Sequence, residues 1–334
     1  MPRLFLGMAM FVLTGAASAV EPGSTIMPIQ MLYQNWSVPK ASDFVRDGAG
    51  LKPALQAVCD VPQEKSGEAL AQAKQQWLMA LSSWEKLSAV STGPLIERRS
   101  QRQIDFMPTR PRMIEAAIKS SPASLADLEL IGTPAKGLPA LEWLLWVSPI
   151  KPASAECRYA VLISEEIERE AQALSEAYSK AANKQAGEET AKAALSELVN
   201  QWVGGIEHLR WANMEMPVRV ALTAKNKTEP VFPRRSGEAM SMLWSAEWDA
   251  LRTLATGKGF SMESTLRSRG HNQLADVLAS STLNTDKAMQ GLRIADQSRL
   301  LDAARELAAL KRLVEDRVAP ALGVTIGFSD ADGD

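Results

Sequence analysis

Long stretches of the chain repeat apolar residues at the spacing of an amphipathic helix. The clearest stretch runs from Glu64 to Val90, where Trp77, Leu81 and Trp84 stand at positions i, i+4 and i+7. This spacing places the three side chains on one face of a helix, which predicts that the face packs against a core. The stretch ends at residues 91–94, Ser-Thr-Gly-Pro, a composition typical of a helix stop.

The same pattern continues through most of the chain and predicts a series of further helices. The alternation of apolar and polar residues that indicates half-buried strands is weak throughout, so the predicted class is all-α with bundle-like packing. Residues 120–136 and 225–233 contain prolines and polar residues and are predicted to be irregular. The remaining predicted helices cover residues 95–106, 111–119, 139–147, 153–185, 188–224, 236–256, 262–280 and 286–318.

One predicted helix is apolar on all sides except at a single position. Residues 137–147 read Gly-Leu-Pro-Ala-Leu-Glu-Trp-Leu-Leu-Trp-Val, and Glu142 is the only charged residue among them. A helix that is apolar all round is predicted to be buried, and Pro139 suits its first turn. A buried carboxylate needs a cation, a metal ion or a proton. The sequence therefore predicts that the carboxylate of Glu142 is buried away from water and has a cation, a metal ion or a proton as its partner.

The amino terminus has the features of a cleaved export signal. Arg3 precedes an apolar run from Leu4 to Leu13, and Ala17 and Ala19 form a small-x-small cleavage site, which predicts cleavage after Ala19. No cysteine stands at the cleavage point, so a lipoprotein is not expected. No later apolar run reaches transmembrane length. We therefore expect residues 1–19 to be a signal peptide and residues 20–334 to be a soluble periplasmic protein.

Charge and cysteine content narrow the classes of function. The formal net charge is −2, so no electrostatic feature indicates nucleic acid or an anionic membrane as a partner. The chain contains two cysteines, Cys59 and Cys157. An even count in an oxidising compartment predicts a disulfide between them, and the alternative is two buried free thiols.

The segment around Glu142 also resembles the signature of the imelysin family, Gly-x-His-x-x-Glu followed by an aromatic residue and two leucines. Gly137 and Glu142 match the signature, while Pro139 stands where the family has its histidine. Three further segments support the resemblance, and with the first they extend over most of the mature chain. They are residues 77–106, which contain Gly93-Pro94, Arg98-Arg99 and Ile104-Asp105-Phe106, residues 232–237, Phe-Pro-Arg-Arg-Ser-Gly, and residues 322–334.

The resemblance implies an architecture and a place for the site. Imelysins are built from two pseudo-symmetric helical bundles, so we expect a first bundle at about residues 40–185 and a second at about 186–334, packed around a central cleft. The resemblance also implies that the arginine pairs 98–99 and 234–235 face this cleft beside Glu142. It further implies a role in iron acquisition; the cofactor stays open, with iron or another divalent metal as the candidates.

The arginine-rich segment allows two interpretations. Arg98, Arg99, Arg102 and Asp105 lie close together in the sequence near a predicted helix start, where positive charge opposes the helix dipole. Such an arrangement is favoured by a bound anion, and arginine matches the geometry of carboxylates. The alternative is a solvated charged face with local ion pairs. The same two interpretations apply to the pair Arg234 and Arg235.

Glu142 likewise has two interpretations. As a functional group it would be a ligand for a hard cation such as ferric iron, or an acid that positions a bound molecule. As a structural group it would form an ion pair with an arginine from the other bundle, which adds packing specificity without net stability. The absence of the signature histidine favours the structural interpretation.

Peptidase chemistry, with which imelysins were grouped, has little support in the residues. Hydrolytic zinc sites use histidine and carboxylate ligands around an open position, and the chain has two histidines, His208 and His271, with no His-Glu-x-x-His motif. We expect His208 to be exposed on a helix, and we expect His271 to lie in a loop or at a helix cap.

The prediction is therefore an exported, non-catalytic protein that binds a metal ion or a small anionic chelate in iron acquisition. The predicted ligand-binding residues are Glu142, Arg98, Arg99, Arg102, Asp105, Arg234 and Arg235, with Glu142 as the metal ligand if a metal is bound. Two alternatives are a metallopeptidase of the imelysin family and an interaction module that docks to a membrane-bound iron-uptake partner.

Overall fold

The computed structural model describes residues 25–225 and 228–327. The predicted signal peptide, residues 1–19, and the carboxy-terminal residues 328–334 lie outside the described residues. The described part of the chain contains helices and no strand, which confirms the all-α class. No helix within it is long and apolar enough to span a membrane.

Seventeen α-helices follow one another along the described residues, and the longest ones build the bundles. In the first half of the chain they are α1 Ile26–Leu32, α2 Val38–Ala49, α3 Leu51–Asp60, α4 Ser66–Ser88, α5 Pro94–Glu97, α6 Ser100–Ile104, α7 Pro111–Lys119, α8 Leu125–Glu129, α9 Gly137–Glu142 and α10 Ala155–Asn183. In the second half they are α11 Glu188–Glu207, α12 Met216–Thr223, α13 Gly237–Thr256, α14 Met262–Ser268, α15 Asn272–Met289, α16 Gln297–Leu313 and α17 Ala319–Ala321.

Four helical segments contain a wider, π-helical turn, and each is followed by a proline. The turns cover Tyr33–Ser37, Trp143–Val147, His208–Glu215 and Val314–Val318, and prolines stand two positions after their last residues, at 39, 149, 217 and 320. Proline donates no backbone hydrogen bond and its ring clashes with the carbonyl four residues earlier. A π-turn widens the helix at that place. Residues 188–224, predicted as one helix, therefore continue past Pro217 with such a turn.

Buried apolar side chains form two cores. The first core extends from Ala41 to Tyr178 and includes Ala239. The second core extends from Ala191 to Val324 and includes Val90 and the buried residues of the segment 29–36. The division of the chain into two bundles near residue 185 stays a prediction, and α4 and α13, which pack against each other, connect the two cores.

The predicted disulfide is confirmed. Cys59 near the end of α3 is bonded to Cys157 in the first turn of α10, with their Cα atoms 5.7 Å apart. The bond ties α3 to α10, and both helices pack in the first core. Cys157 is fully buried.

Several predicted helix boundaries are wrong. The stretch 262–280 is divided at residues 269–271 into α14 and α15, where Gly270 has φ 83°. The stretch 95–106 is not one helix, because Arg99 has a left-handed backbone, with φ 56° and ψ 36°, that separates α5 from α6. Arg98 and Arg102 therefore do not share a helix face. The predicted break at residues 281–285 is helical, whereas the chain turns at residues 290–296, where Gly291 has φ 62°.

Candidate functional site

Glu142 lies at the end of α9, a helix held in place by close contacts at its start. Gly137 has φ 71°, and a Cβ atom at this position would stand 2.3 Å from the carbonyl oxygen of Ile104. Only glycine fits so close an approach with such a backbone. The preceding residue, Lys136, is buried and forms an ion pair of 2.6 Å with Glu166 of α10. The first turn of α9 is thus fixed between α6 and α10.

The carboxylate of Glu142 is buried as predicted, and it has one hydrogen-bond partner. The residue is 1% exposed. Its Oε1 accepts a hydrogen bond of 2.6 Å from the backbone N–H of Arg235, while its Oε2 is buried without a partner. Burial raises the pKa of the Glu142 carboxyl above its ordinary value, although the nearby charge of Arg234 acts in the opposite direction.

The guanidinium of Arg234 is enclosed between carboxylates from two other segments. Its Nη2 donates to Glu85 Oε1 at 2.9 Å and to Asp105 Oδ2 at 2.5 Å. The side chains of all three residues are almost fully buried. Arg234 also lies over the ring of Trp77, 5.9 Å from its centroid. This ion pair joins the second half of the chain to α4 and to the residue that follows α6.

The site contains more acidic than basic side chains. Glu85, Asp105 and Glu142 each act electrostatically on Arg234, which is the buried cation that they share. Burial and the neighbouring charge of Asp105 raise the pKa of Glu85 to about 8. Asp105 Oδ1 is buried without a hydrogen-bond partner, like Glu142 Oε2. We call Glu85, Asp105, Glu142 and Arg234 the acid cluster.

A second buried carboxylate system borders the acid cluster. Asn213 donates to both oxygens of Glu247 at 3.0 and 2.9 Å, and Nδ1 of His208 lies 3.3 Å from Glu247 Oε1. The side chain of His208 is 51% exposed, so its predicted exposure is correct in part, while its inner face contacts a buried acid. The π-turn His208–Glu215 carries both His208 and Asn213.

Sequence analysis missed Glu85 and Glu247, although a signal for both exists. Glu85 lies on the buried face of α4, seven positions after Leu78 and four after Leu81. Glu247 lies four positions after the buried Leu243 in α13. A charged residue on the apolar face of a helix needs a buried partner. The same argument that identified Glu142 identifies these two acids.

The predicted arginines divide between inner and outer positions. Arg98 does not reach Glu142, because it pairs with Glu170 of α10 through bonds of 2.9 and 2.6 Å. Arg99, Arg102 and Arg235 have exposed side chains and form no ion pair within the described residues. The contact of Arg234 with Asp105 brings the end of α6 beside residues 234–235.

The residues present do not fit a preformed metal site. Within residues 25–225 and 228–327, no group of three or more His, Cys, Asp or Glu side chains is placed to hold a metal ion. Arg234 already lies between the carboxylates that would be donors. The other histidine, His271, precedes α15 at its N-cap, as predicted, and is exposed.

Comparison with known proteins agrees with the motifs of the sequence. The family model of imelysin matches residues 37–321. The chain belongs to the imelysin family. No curated protein sequence matches the chain significantly.

Two solved structures have the same fold as this imelysin. An imelysin-like protein from Psychrobacter arcticum 273-4 has a TM-score of 0.77 and 17% identity, over 93% of this chain and 99% of that chain. A "putative iron-regulated protein A precursor" from Parabacteroides distasonis ATCC 8503 has a TM-score of 0.71 and 15% identity, over 92% of this chain and 97% of that chain. At such identities the likeness shows the fold alone.

Replacing Glu85 by glutamine is expected to remove a pH dependence of stability. In the unfolded chain the carboxyl of Glu85 has a pKa of 4.5, whereas in the folded protein its pKa is about 8. The folded state therefore binds the extra proton, and this contribution to stability is lost as the pH rises from about 5 to about 8, by up to about 1.4 kcal/mol per pH unit. Urea unfolding at several pH values measures it.

The matched control is Glu68→Gln, which changes an exposed glutamate in the same helix, α4. The pH slope of the control should equal that of the wild type, and the slope of Glu85→Gln should be flatter between pH 5 and 8. Equal slopes in all three proteins would show that Glu85 loses its proton at an ordinary pH in the folded state.

Proposed function

We propose that this imelysin is an exported periplasmic protein of iron acquisition that binds an anionic metal chelate without catalysing a reaction. The binding residues are Arg99, Arg102 and Arg235, which we call the arginine rim. Arg99 precedes α6 and Arg102 lies within it, and the residue that ends α6, Asp105, pairs with Arg234, the neighbour of Arg235. The name of the structural neighbour from Parabacteroides distasonis, which includes iron regulation, supports the link to iron.

The single observation that carries the proposal is that three arginines of the rim are exposed and form no ion pair within the described residues. Their guanidinium groups are therefore available to a ligand, and each offers a planar fork of donors that matches a carboxylate. Most other described arginines outside the core form an ion pair with an aspartate or a glutamate, as Arg46 does with Asp43 and Arg169 with Glu129.

Two features of the backbone at the rim support a binding role for these residues. Arg99 has a left-handed backbone, a conformation that costs a non-glycine residue about 1–2 kcal/mol. Such strain is concentrated at functional sites. The backbone N–H of Arg235 is bonded to Glu142, so the signature glutamate positions the residue whose side chain points outward to the ligand.

A chelate is favoured over a free metal ion because of the donor sets. A metal ion needs several convergent oxygen, nitrogen or sulfur donors, and no such group is found among the described residues. The same finding gives no support to a metallopeptidase. A chelate carries its own donors and presents negative charge outward, which suits arginines.

Removing the rim is expected to weaken binding of ferric citrate, our probe of an anionic metal chelate. The variant Arg99→Ala/Arg102→Ala/Arg235→Ala loses three exposed charge contacts, each of about 0.2–1 kcal/mol. We therefore expect the affinity to fall by about tenfold. Isothermal titration calorimetry of the mature protein measures it, with citrate alone and calcium chloride as comparison ligands.

The matched control is Arg312→Ala/Arg317→Ala, which removes two exposed arginines without ion pairs from the carboxy-terminal helical segment. The control should bind ferric citrate like the wild type. Equal affinity of the rim variant and the wild type, or no binding by the wild type, would contradict the proposal. Mass spectrometry of the periplasmic fraction tests the predicted cleavage after Ala19.

A second candidate function is that of an interaction module, and several exposed apolar side chains favour it. Trp211, Val220 and Leu222 are 44%, 59% and 60% exposed on the helix that contains α12. A docking function for a membrane-bound iron-uptake partner predicts capture of that partner from iron-starved membranes, with no heat of binding for ferric citrate.

A further inference from the structure

The buried guanidinium of Arg234 has hydrogen-bond donors that its carboxylate partners do not use. The residue is 4% exposed, and only its Nη2 donates to Glu85 and Asp105. Its Nε is buried without a hydrogen-bond partner among the described residues. Its Nη1 has one acceptor there, the thioether sulfur of Met107, at 4.0 Å. A buried charged donor without a good acceptor is unfavourable, so a stronger acceptor beside Nη1 would be stabilising.

Met107 has a sulfur atom in contact with this buried donor, although the residue itself is partly exposed. It lies in the loop between α6 and α7, two positions after Asp105, and it is half-buried. The Oγ1 atom of Thr109 also lies 4.0 Å from its Sδ. Thioether sulfur is a weak acceptor, so neither Arg234 nor Thr109 gains a strong hydrogen bond from it.

Oxidation turns this weak acceptor into a strong one. Hydrogen peroxide transfers one oxygen atom to a lone pair of the sulfur, so that the S–O bond forms, the O–O bond breaks and water leaves. The sulfur is oxidised by two electrons to the sulfoxide, which methionine sulfoxide reductases reduce again. The sulfoxide oxygen stands one bond length from the sulfur. In the epimer whose oxygen points towards Nη1, the separation of 4.0 Å therefore shortens to hydrogen-bond distance.

We propose that Met107 is a reversible oxidation site, at which hydrogen peroxide produces a sulfoxide whose oxygen accepts a hydrogen bond from Nη1 of Arg234. Hydrogen bonds from charged donors are stronger than those between neutral groups. Oxidation of a methionine ordinarily disrupts packing, whereas here it joins the loop after α6 more firmly to Arg234. The proposal concerns Met107 and does not depend on chelate binding at the arginine rim.

The first test is the rate at which hydrogen peroxide oxidises each methionine of the folded mature protein, measured by peptide mass spectrometry. Met113, which is 43% exposed, and Met240, which is 1% exposed, are the internal standards. Met107 should be oxidised faster than Met240, and a methionine sulfoxide reductase should restore it. A Met107 that reacts as slowly as Met240 would overturn the proposal, because the oxidant would then not reach the sulfur.

The second test is urea unfolding before and after the same peroxide treatment, for the wild type, Met107→Leu and the matched control Met113→Leu. The other methionines contribute to the effect of the treatment, and comparison with Met107→Leu isolates the part that is due to Met107. The change in midpoint on treatment should be more favourable by about 0.5 M urea in the wild type than in Met107→Leu. The control should respond like the wild type. A wild type that loses as much as Met107→Leu, or more, contradicts the proposal.

The variant Met107→Gln repeats the comparison without an oxidant, because its amide oxygen is a strong acceptor on a side chain of similar length. Untreated Met107→Gln should unfold at a higher urea concentration than untreated Met107→Leu. An equal or lower midpoint would show that Nη1 of Arg234 does not use an acceptor at this position, which also overturns the proposal.

Discussion

Replacing Arg234 by alanine is expected to lower the free energy of unfolding by about 3–5 kcal/mol, because the substitution breaks a buried ion pair by removing one partner. Glu85 and Asp105 lose the donor that joins them, and Glu142 loses the positive charge that acts on it most strongly. The three carboxylates would then be buried without compensation, so they must take up protons, admit water or separate.

Urea unfolding followed by tryptophan fluorescence measures this effect, since Trp77 contacts Arg234 and Trp244 lies in the second core. The neighbouring variant Arg235→Ala is the control for stability. Its side chain is exposed, and the backbone bond to Glu142 is kept, so we expect a change within about 0.5 kcal/mol. A loss for Arg234→Ala as small as that of the control would mean that the ion pair contributes little.

The double variant Cys59→Ala/Cys157→Ala is expected to lose about 2–5 kcal/mol of stability. The disulfide joins cysteines 98 positions apart, and in the chain-entropy model a loop of about this length restricts the unfolded chain by an amount worth about 4.7 kcal/mol. The bond connects α3 to α10, which build the first core with α2 and α4.

Denaturant unfolding with and without a thiol reductant measures this effect. The wild type should lose stability when the bond is reduced, and the double variant should not respond to the reductant, which is the internal control. The loss should appear in the transition of the first core, where both cysteines lie. An unchanged unfolding midpoint in the double variant would contradict the prediction, because the disulfide would then not restrict the unfolded chain.

Much of the fold was predictable because helix periodicity is a local property. The face formed by Trp77, Leu81 and Trp84 is completely buried, and the helix predicted from Glu64 to Val90 is found at Ser66–Ser88. The helix at residues 111–119 was predicted with its observed bounds. The disulfide followed from the count of cysteines and the expected compartment.

The wrong boundaries at Arg99 and at residues 281–285 have a common physical cause. Arg99 breaks a helix with a residue that ordinarily favours helices, so no local signal marked the break between α5 and α6. Residues 281–285 look like a boundary because they contain serine, threonine and asparagine. In the structure they are part of α15, where the buried side chains of Thr282 and Thr285 bond to backbone carbonyls one turn earlier. Tertiary packing outweighs weak propensities of this kind.

Asp105, Glu142 and Arg234 of the acid cluster were among the predicted site residues, but only the burial of Glu142 followed from the apolar pattern of the sequence. The sequence indicated that Glu142 is buried, because its neighbours are apolar. It did not show that Glu142 bonds to the backbone of Arg235 while Arg234 pairs with Glu85 and Asp105. Arg98 has the same appearance as Arg234 in the sequence, yet it pairs with Glu170 elsewhere.

The sequence by itself determined the all-α class, the family, the paired cysteines and the burial of one acid, since each depends on periodicity, motif or composition within a short stretch. Only the tertiary structure decided which acids share Arg234 and which arginines form no ion pair within the described residues. Glu85 and Arg234 are 149 positions apart, and partners so distant are chosen by how the helices pack. The strength of a buried charge pair, in turn, depends on that geometry and on the exclusion of water.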